Sequence, residues 1–591
     1  MARVEKVWHL LPCDRDATNR LAAAVRVSPV VAQLLLNRGV TSAADATRFL
    51  DPSLAGLHPP QTLPDIPAAA DRLAKAITDK RKICVYGDYD VDGVTGTAIL
   101  VQLLTKLGAA VEFHVPLRMS EGYGLNSARL GELAKAGVSV VVSVDCGIAS
   151  IDEAVEAKRL GIELIVTDHH EMKTDAAGKP ILPDAAVLVH PRLPGSEYPF
   201  DGLSGAGVAL KLAWALSQRA SGGGRASPEL REFLLDAVGL AALGLVADVV
   251  PLRDENRILV NAGLDRIRDV PSIGLKALME AAGIGAGKPV TAEDVGFKLA
   301  PRINAAGRLG CASLAVELLT TKNTAKARTL AEYLEKQNSE RQSVERKITS
   351  QAKEMMDGAA LPHGIVLASA DWHPGVIGIV ASRLVDHFSR PALVISIRPD
   401  EPLSVGSGRS VPGFPLHEAL KACDEFLEGH GGHAAAAGFK IRPDRIDAFR
   451  ERFNAYVGEH FPGGPPAGRL TLDAEVPLSA ITFGLMKDID KLEPYGAANP
   501  KPKFLAAGLK VEGARLIGTG EPQKHMDFRV RQGETVMRAV AWNMADRFDE
   551  LLSSNGECCL AFTPKVNEWN GSRKLELQVI DLKPGATVAL G

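Results

Sequence analysis

The sequence predicts an α/β protein: two α/β lobes joined by one long helix, followed by a small β-barrel. Three observations predict it. Short apolar runs alternate with helical stretches from about residue 80 onward, the pattern of a doubly wound parallel sheet. From Asn323 to Met356 the chain has neither Gly nor Pro and is rich in Ala, Leu, Glu, Lys, Arg and Gln, which reads as one helix longer than a single layer needs. Beyond Phe461-Pro462-Gly463-Gly464-Pro465-Pro466, short β-like runs dominate, at the spacing of a small barrel or sandwich.

Taken in order, residues 1–79 read as mixed helix and loop, with Pro59-Pro60 and Pro64 marking irregular backbone. Residues 80–270 form the first lobe. Its strands are Ile83 to Tyr86, Val111 to Val115, Val138 to Val144 and Leu164 to Thr167, with a helix from Val94 to Leu107. Ser221-Gly222-Gly223-Gly224 is a flexible loop. Residues 271–360 form a helical connector that ends in the long helix. Residues 361–460 form the second lobe, with strands from Ile365 to Ala368 and Leu393 to Ile397. Residues 465–591 form the barrel, from Leu470 to Val476, Leu509 to Ile517, Met526 to Val530, Val536 to Trp542 and Leu575 to Leu582.

Composition excludes several classes. Of 591 residues, 46% are hydrophobic and 24% charged, which gives an ordinary globular core rather than a disordered chain. No run approaches the ~20 apolar residues that span a bilayer, and charges interrupt any apolar stretch at the N-terminus, so neither a membrane protein nor a signal peptide is expected. The seven cysteines form no CxxC pair, which argues against a zinc knuckle or a disulfide framework and fits a reducing cytoplasm. The net charge of −3 argues against a nucleic-acid-coated protein but leaves room for a local basic groove.

The acids fall where chemistry needs them. The strand at Ile83 runs into Asp88-Tyr89-Asp90-Val91-Asp92-Gly93, the strand at Val138 ends in Asp145-Cys146-Gly147, and the strand at Leu164 ends in Asp168-His169-His170. A parallel sheet collects its active site at the carboxyl ends of its strands. Asp248, in Ala247-Asp248-Val249-Val250-Pro251-Leu252, follows an apolar helix and adds a fourth contribution. Any one of these acids alone reads equally well as a helix N-cap; so many together, beside a His pair, call for a cation to neutralise them. Asp and His without Cys suit Mn²⁺ or Mg²⁺, and two such ions would clamp the attacking and leaving oxygens of a phosphoryl group.

These segments resemble the first motifs of the DHH phosphoesterases, with Asp248 matching the fourth. The resemblance implies Asp90, Asp92, Asp145, His169 and Asp248 as metal ligands, with Asp145 as the bridge. It implies Asp90, Asp92, Asp145, His169 and His170 as the catalytic set, and His170 and Asp168 as ligands or as groups that orient ligands. Pyrophosphatase-type members carry a His where this chain has Tyr86, so the chain resembles the RecJ branch, and Asp88 is the candidate to complete the first ion's ligands. In the second lobe, Trp372 to Gly378 and Gly431-Gly432-His433 with Ala437-Gly438 resemble the DHH-associated domain, although alone they read as a turn and a core histidine. Pro301 to Arg308 and Pro494-Tyr495-Gly496 with Asn499-Pro500 resemble RecJ segments.

The implied activity is two-metal hydrolysis of single-stranded DNA from the 5′ end, in DNA repair and recombination. The implied partners are a single-strand-binding protein and a helicase. Two other readings stand beside it: a small-substrate phosphodiesterase of the same superfamily, and a catalytically inactive scaffold. Candidate substrate contacts are Arg118, Arg302, Asn304, Arg308, Ser407, Arg409 and His433, with Gly406 to Ser410 read as a phosphate-approaching loop. The barrel resembles an OB-fold. It holds sixteen Lys/Arg and sixteen Asp/Glu from Pro465 to Gly591, so strand binding there would rest on a local groove and on stacking by Phe528, Trp542 or Trp569, each of which reads equally as core.

Overall fold

The computed structural model describes residues 6–117, 121–269, 272–285, 287–308, 310–358, 360–518, 523–569 and 571–590, apart from the side chains of Arg308, Ser554 and Trp569. Arg118 therefore lies outside the described residues. The chain divides into two compact units. One comprises Leu11–Glu335 with Leu472–Val588; the other comprises Met1–Leu10, Lys336–Thr471 and Ala589–Gly591.

In the first unit a five-stranded parallel sheet runs Val111–His114, Lys82–Gly87, Val138–Val144, Glu163–Thr167, Val187–Val189. The central strands are apolar on both faces, Val140, Val142 and Val144 against one core and Val141, Leu164 and Val166 against another, as burial on both sides of a parallel sheet demands. The strand Lys82–Gly87 has the next strand in sequence on one side and Val138–Val144 on the other. That reversal is the switch point where such sheets bind ligands. Val187–Val189 is too short to announce itself in the sequence. The helix Val91–Lys106 starts three residues earlier than its apolar period suggests, because the Asp90 carboxylate caps it by accepting from the Asp92 and Gly93 amides.

The N-terminal helices Arg15–Val25, Pro29–Asn37 and Ala43–Leu50 share a core with the barrel: Leu21, Val31, Leu34 and Leu35 pack with Phe504, Phe528 and Phe562. The helix Ile66–Thr78 packs instead on the parallel sheet. Two buried arginines tie these parts through backbone carbonyls. Arg257 donates to Phe49, Lys491, Leu492, Glu493 and Pro494 oxygens, with its guanidinium 3.8 Å above the Phe49 ring. Arg38 donates to the Leu34 and Pro500 carbonyls and to Asn499 Oδ1, and Asn499 in turn donates to the Leu492 and Pro494 carbonyls. Burying a guanidinium is tolerable only when its donors are used up in this way. The Pro494–Pro500 segment picked out in the sequence is thus a clasp within this unit.

The barrel closes through five long strands: Phe504–Ile517, His525–Gln532, Thr535–Ala541, Ser572–Pro584 and Glu557–Trp569, the last returning to pair with the first. Glu557–Trp569 was not expected as a strand, since Pro564 interrupts its pattern. Its ladder with Phe504–Ile517 ends at Phe562, so Pro564 sits where that side of the strand has no partner and a missing N–H costs nothing. Phe528 is 2% exposed in the barrel core, which decides between its two readings in favour of core. Trp542 is 51% exposed. The Trp569 side chain lies outside the described set.

In the second unit the sheet order is Leu427–Gly432, Ala436–Ile441, Ser404–Arg409, Ala392–Ser396, Ile365–Ser369, antiparallel except for the last pair. The expected loop at Gly406 to Ser410 is, apart from Ser410, a strand. Its glycines serve packing: a Cβ on Gly406 would lie 2.1 Å from the Phe439 ring, and one on Gly408 2.3 Å from Leu393. Gly431 and Gly432 end the strand Leu427–Gly432. The long helix spans Thr324–Glu354. No helix among the described residues is long and apolar enough to cross a membrane.

Candidate metal centre

The three loops leaving the adjacent strands Lys82–Gly87, Val138–Val144 and Glu163–Thr167 converge with the end of the helix Pro228–Ala247. Three overlapping groups of ligand atoms result, each within 4.8 Å: Asp88, Asp90 and Asp145; Asp145, His169 and His170; Asp92, His169 and Asp248. Asp145 belongs to two of them. His169 Nε2 lies 3.1 Å from Asp145 Oδ1, 3.5 Å from Asp248 Oδ2 and 3.8 Å from Asp92 Oδ2. Yet Asp145 Oδ1 and His169 Nε2 are both buried without a partner in hydrogen-bonding geometry. Buried polar atoms are rarely left so. Two orphaned lone-pair donors aimed at one another fit a shared cation.

Backbone amides hold the carboxylates of Asp90, Asp92 and Asp168. Asp92 sits over the N-terminus of the helix Gly205–Ala220, where Ser204 Oγ (2.7 Å), the Gly205 amide (2.6 Å) and the Ala206 amide (3.1 Å) donate to it. Asp145 adopts a left-handed φ of 65° just before Gly147, a conformation Asp tolerates better than most residues. Asp168 is saturated: it accepts from the Ile148, His169 and His170 amides and lies 2.8 Å from His170 Nδ1. It therefore orients the His pair rather than offering a free lone pair. A carboxylate only accepts, so Nδ1 of His170 carries the proton.

Electrostatics follow from crowding. Burial and the charges of Asp92, Asp90, Asp88 and Asp248 push the Asp145 carboxyl well above the usual range. Burial with Asp92 and Asp90 raises Asp248 to about 8, and burial with Asp90 raises Asp92 despite its three donors. Burial and the neighbouring His170 lower His169 to about 3, so its imidazole is neutral. For His170 burial works downward but the Asp168 hydrogen bond and charge outweigh it, to about 9. For Asp168 burial works upward but His170 outweighs it, to about 2.

Sequence reasoning missed the supporting residues. Tyr123 Oη donates to the Asp145 carbonyl (3.2 Å) and lies 3.0 Å from His170 Nδ1. Asn256 Nδ2 donates to the carbonyls of both Gly202 and Pro251, joining the loop before Gly205 to the loop after Asp248. No local signal marks either residue. Gly205 and Gly244 are required by close approach: a Cβ would lie 2.5 Å from the Asp145 carboxylate in one case and 2.4 Å from Asp92 Oδ1 in the other.

Of the substrate candidates, Arg302 is engaged by Glu335 and by the Lys298 carbonyl. Asn304 is half-buried on the same helix, Ala300–Arg308, while the Arg308 side chain lies outside the described set. In the other unit, Gly378 in the first turn of the helix Ile377–Phe388 is so close to Ser407 and Arg409 that a Cβ there would meet Ser407 Oγ at 2.9 Å and Arg409 Nη2 at 3.5 Å. His433 is exposed in the following hairpin turn.

Residues 82–242 match the DHH family, N-terminal domain; residues 362–459 match the DHHA1 domain; residues 472–581 match the RecJ OB domain. The single-stranded-DNA-specific exonuclease RecJ of Bacillus subtilis (strain 168) is 38% identical over 575 residues, 97% of this chain and 70% of that protein. The crystal structure of RecJ in complex with Mn²⁺ from Thermus thermophilus superposes with a TM-score of 0.83 at 35% identity, covering 99% of this chain and 80% of that one. The Mg²⁺ complex of RecJ from the same organism gives 0.77 at 33% identity, with 99% and 79% covered.

Proposed function

The chain belongs to the RecJ family of single-stranded-DNA-specific exonucleases, and from that premise we propose a two-metal hydrolysis that removes nucleotides from the 5′ end. The enzyme is a metal-dependent nuclease acting on single-stranded DNA. The scaffold and small-substrate readings lose their basis, since Asp88, Asp90, Asp92, Asp145 and Asp248 all fall in the ligand cluster and a RecJ OB domain follows the two lobes.

The observation that carries the two-ion reading is the pair of buried, unpartnered atoms, Asp145 Oδ1 and His169 Nε2, at the junction of three ligand groups. Asp88, Asp90 and Asp145 would hold one ion; Asp145, His169, Asp92 and Asp248 would hold the other. Bound Mn²⁺ or Mg²⁺ would activate water and polarise the scissile phosphate. The protein's own part is preorganisation. The amides of Gly205 and Ala206 fix Asp92, Asp168 fixes the ring orientation of His170, and neutral His169 offers its lone pair. Ser407, Arg409 and His433 are proposed to bind the strand's terminal phosphate, and Trp542 to stack on a base further along it. A role in repair and recombination in the cytoplasm, on strands opened by a helicase and coated by a single-strand-binding protein, extends the same reading.

The test is Asp145→Ala, assayed with Mn²⁺ on single-stranded DNA, duplex DNA and a dinucleotide. Cleavage should disappear while the fold persists, and the metal-free variant should melt at or above the wild type because a crowded carboxylate is gone. A folded variant with near-wild-type turnover would falsify the ligand assignment.

A further inference from the structure

Beside the metal centre, within the first unit, lies a cavity of about 820 Å³. Val249 opens it, immediately after the ligand candidate Asp248. Phe297 and Asn304 line one wall, and Tyr495 of the clasp segment lines another. Two of these apolar side chains are far more exposed than their type favours: Phe297 is 78% and Val249 69% exposed. Both are held out by unusual backbone. Val249 has φ 59°, a left-handed conformation that is a true outlier for a β-branched residue and that persists only where the surroundings impose it. Phe297 sits in the π-turn Val295–Leu299, whose terminal residues are buried; such turns re-aim a side chain out of the helical repeat and are frequent at functional sites.

The cations of the cavity are already matched. Arg268 pairs with Asp265 and Asp269 at 3.0 and 2.7 Å, and Lys501 stands 3.8 Å from Glu293. With the lining acid Glu493 beside them, these walls leave no excess positive charge for phosphates. A largely apolar, aromatic cavity without excess positive charge, with Val249 next to the ligand candidate Asp248 in its lining, suits the other face of a single strand, its bases. The cavity is also mechanically tied to the chemistry. The helix carrying Asn304 reaches the metal loop at Gly307, where a Cβ would lie 2.5 Å from the Tyr89 carbonyl. The wall at Ala497 accepts from the Leu252 amide at 2.8 Å, four residues beyond Asp248.

We propose that this cavity is a nucleobase subsite, in which an unpaired base of the substrate strand stacks on Phe297 against Val249. The proposal rests on the exonuclease reading and adds a discriminating element to it: a base still paired in a duplex cannot turn into such a cavity. It makes Phe297 a positioning residue for the strand.

The experiment is single-turnover release of the first nucleotide, with enzyme in excess, from a set of oligonucleotides that each carry one abasic position. Release from the unmodified strand by the wild type secures the exonuclease reading on its own. In the wild type, one abasic position should raise the half-saturating enzyme concentration roughly five- to a hundredfold, the range of one lost stacking contact. Phe297→Ala should suffer a similar loss on the unmodified strand and no longer respond to that position, and Phe297→Trp should restore both. If Phe297→Ala keeps the wild-type affinity and abasic profile, the cavity is not a base subsite. That result would assign its exposed apolar walls to a protein contact instead.

Discussion

Gly205 is a position where a single added methyl group tests the candidate metal centre directly. Its amide donates to Asp92 Oδ2 at 2.6 Å, and a Cβ built there would lie 2.5 Å from both Cβ and Oδ1 of Asp145. Nonbonded contacts relax at about 3.5 Å or more, so Gly205→Ala must displace the Asp145 carboxylate by about 1 Å. The carboxylate has little room to yield, since His169 Nε2 is 3.1 Å away. Overpacking of this kind costs about 1–3 kcal/mol, offset by about 0.4–1 kcal/mol from the reduced freedom of the unfolded chain. A net loss of about 1–2 kcal/mol should leave the protein folded. A displacement of ~1 Å at a ligand, by contrast, should cost about a hundredfold in rate and raise the Mn²⁺ concentration needed for half-activity. The assay pairs Mn²⁺-titrated hydrolysis of single-stranded DNA with thermal unfolding in chelator. Gly131→Ala, in the helix Ser127–Lys135 with nothing within 4 Å of the added Cβ, is the control and should be neutral or slightly stabilising. A Gly205→Ala enzyme with the wild-type metal midpoint and rate would refute the claim that this glycine exists to admit Asp145.

Three further outcomes are expected. Asp92 and Asp248 are raised, Asp248 to about 8, so the folded metal-free protein holds protons that the unfolded chain, with carboxyls near 3.9, has lost. Its stability should therefore fall as pH rises from about 4 to 8, and Mn²⁺ binding at pH 7 should release protons; calorimetric heats that do not vary with the buffer's ionisation enthalpy would contradict this. Arg409→Ala should slow cleavage of 5′-phosphorylated DNA roughly ten- to a hundredfold, the loss of one charge-assisted hydrogen bond, and affect 5′-hydroxyl DNA much less; equal slowing of both would reduce Arg409 to a brace. Trp542→Ala should weaken binding of long single strands about five- to a hundredfold while a dinucleotide is cleaved as before, and unchanged affinity at matched salt would remove the residue from the binding surface. Removing the whole barrel is a poorer test, because Leu21, Val31, Leu34 and Leu35 would lose their core partners.

The sequence by itself determined the parts that depend on local patterns. Apolar runs set the parallel sheet, and acids at the ends of three strands set the candidate metal centre, because a parallel sheet brings those ends to one edge whatever the intervening chain does. The Gly- and Pro-free stretch set the long helix to within two residues at each end. The tertiary structure alone decided which groups were free to act. Asp168 reads like its neighbours in sequence, but three amides and His170 engage it. Gly406 and Gly408 look like a phosphate-cradling loop, but Phe439 and Leu393 fill the space above them. Phe528 and Trp542 are both aromatic residues of the barrel, and only closure of its strands buries one and exposes the other. The Asn499 segment reads as a loop until Arg38 and Arg257 close on it from helices hundreds of residues away in sequence. Such long-range satisfaction of buried polar groups leaves no periodic trace in the chain, because the partner's identity is fixed by the fold and not by its neighbours.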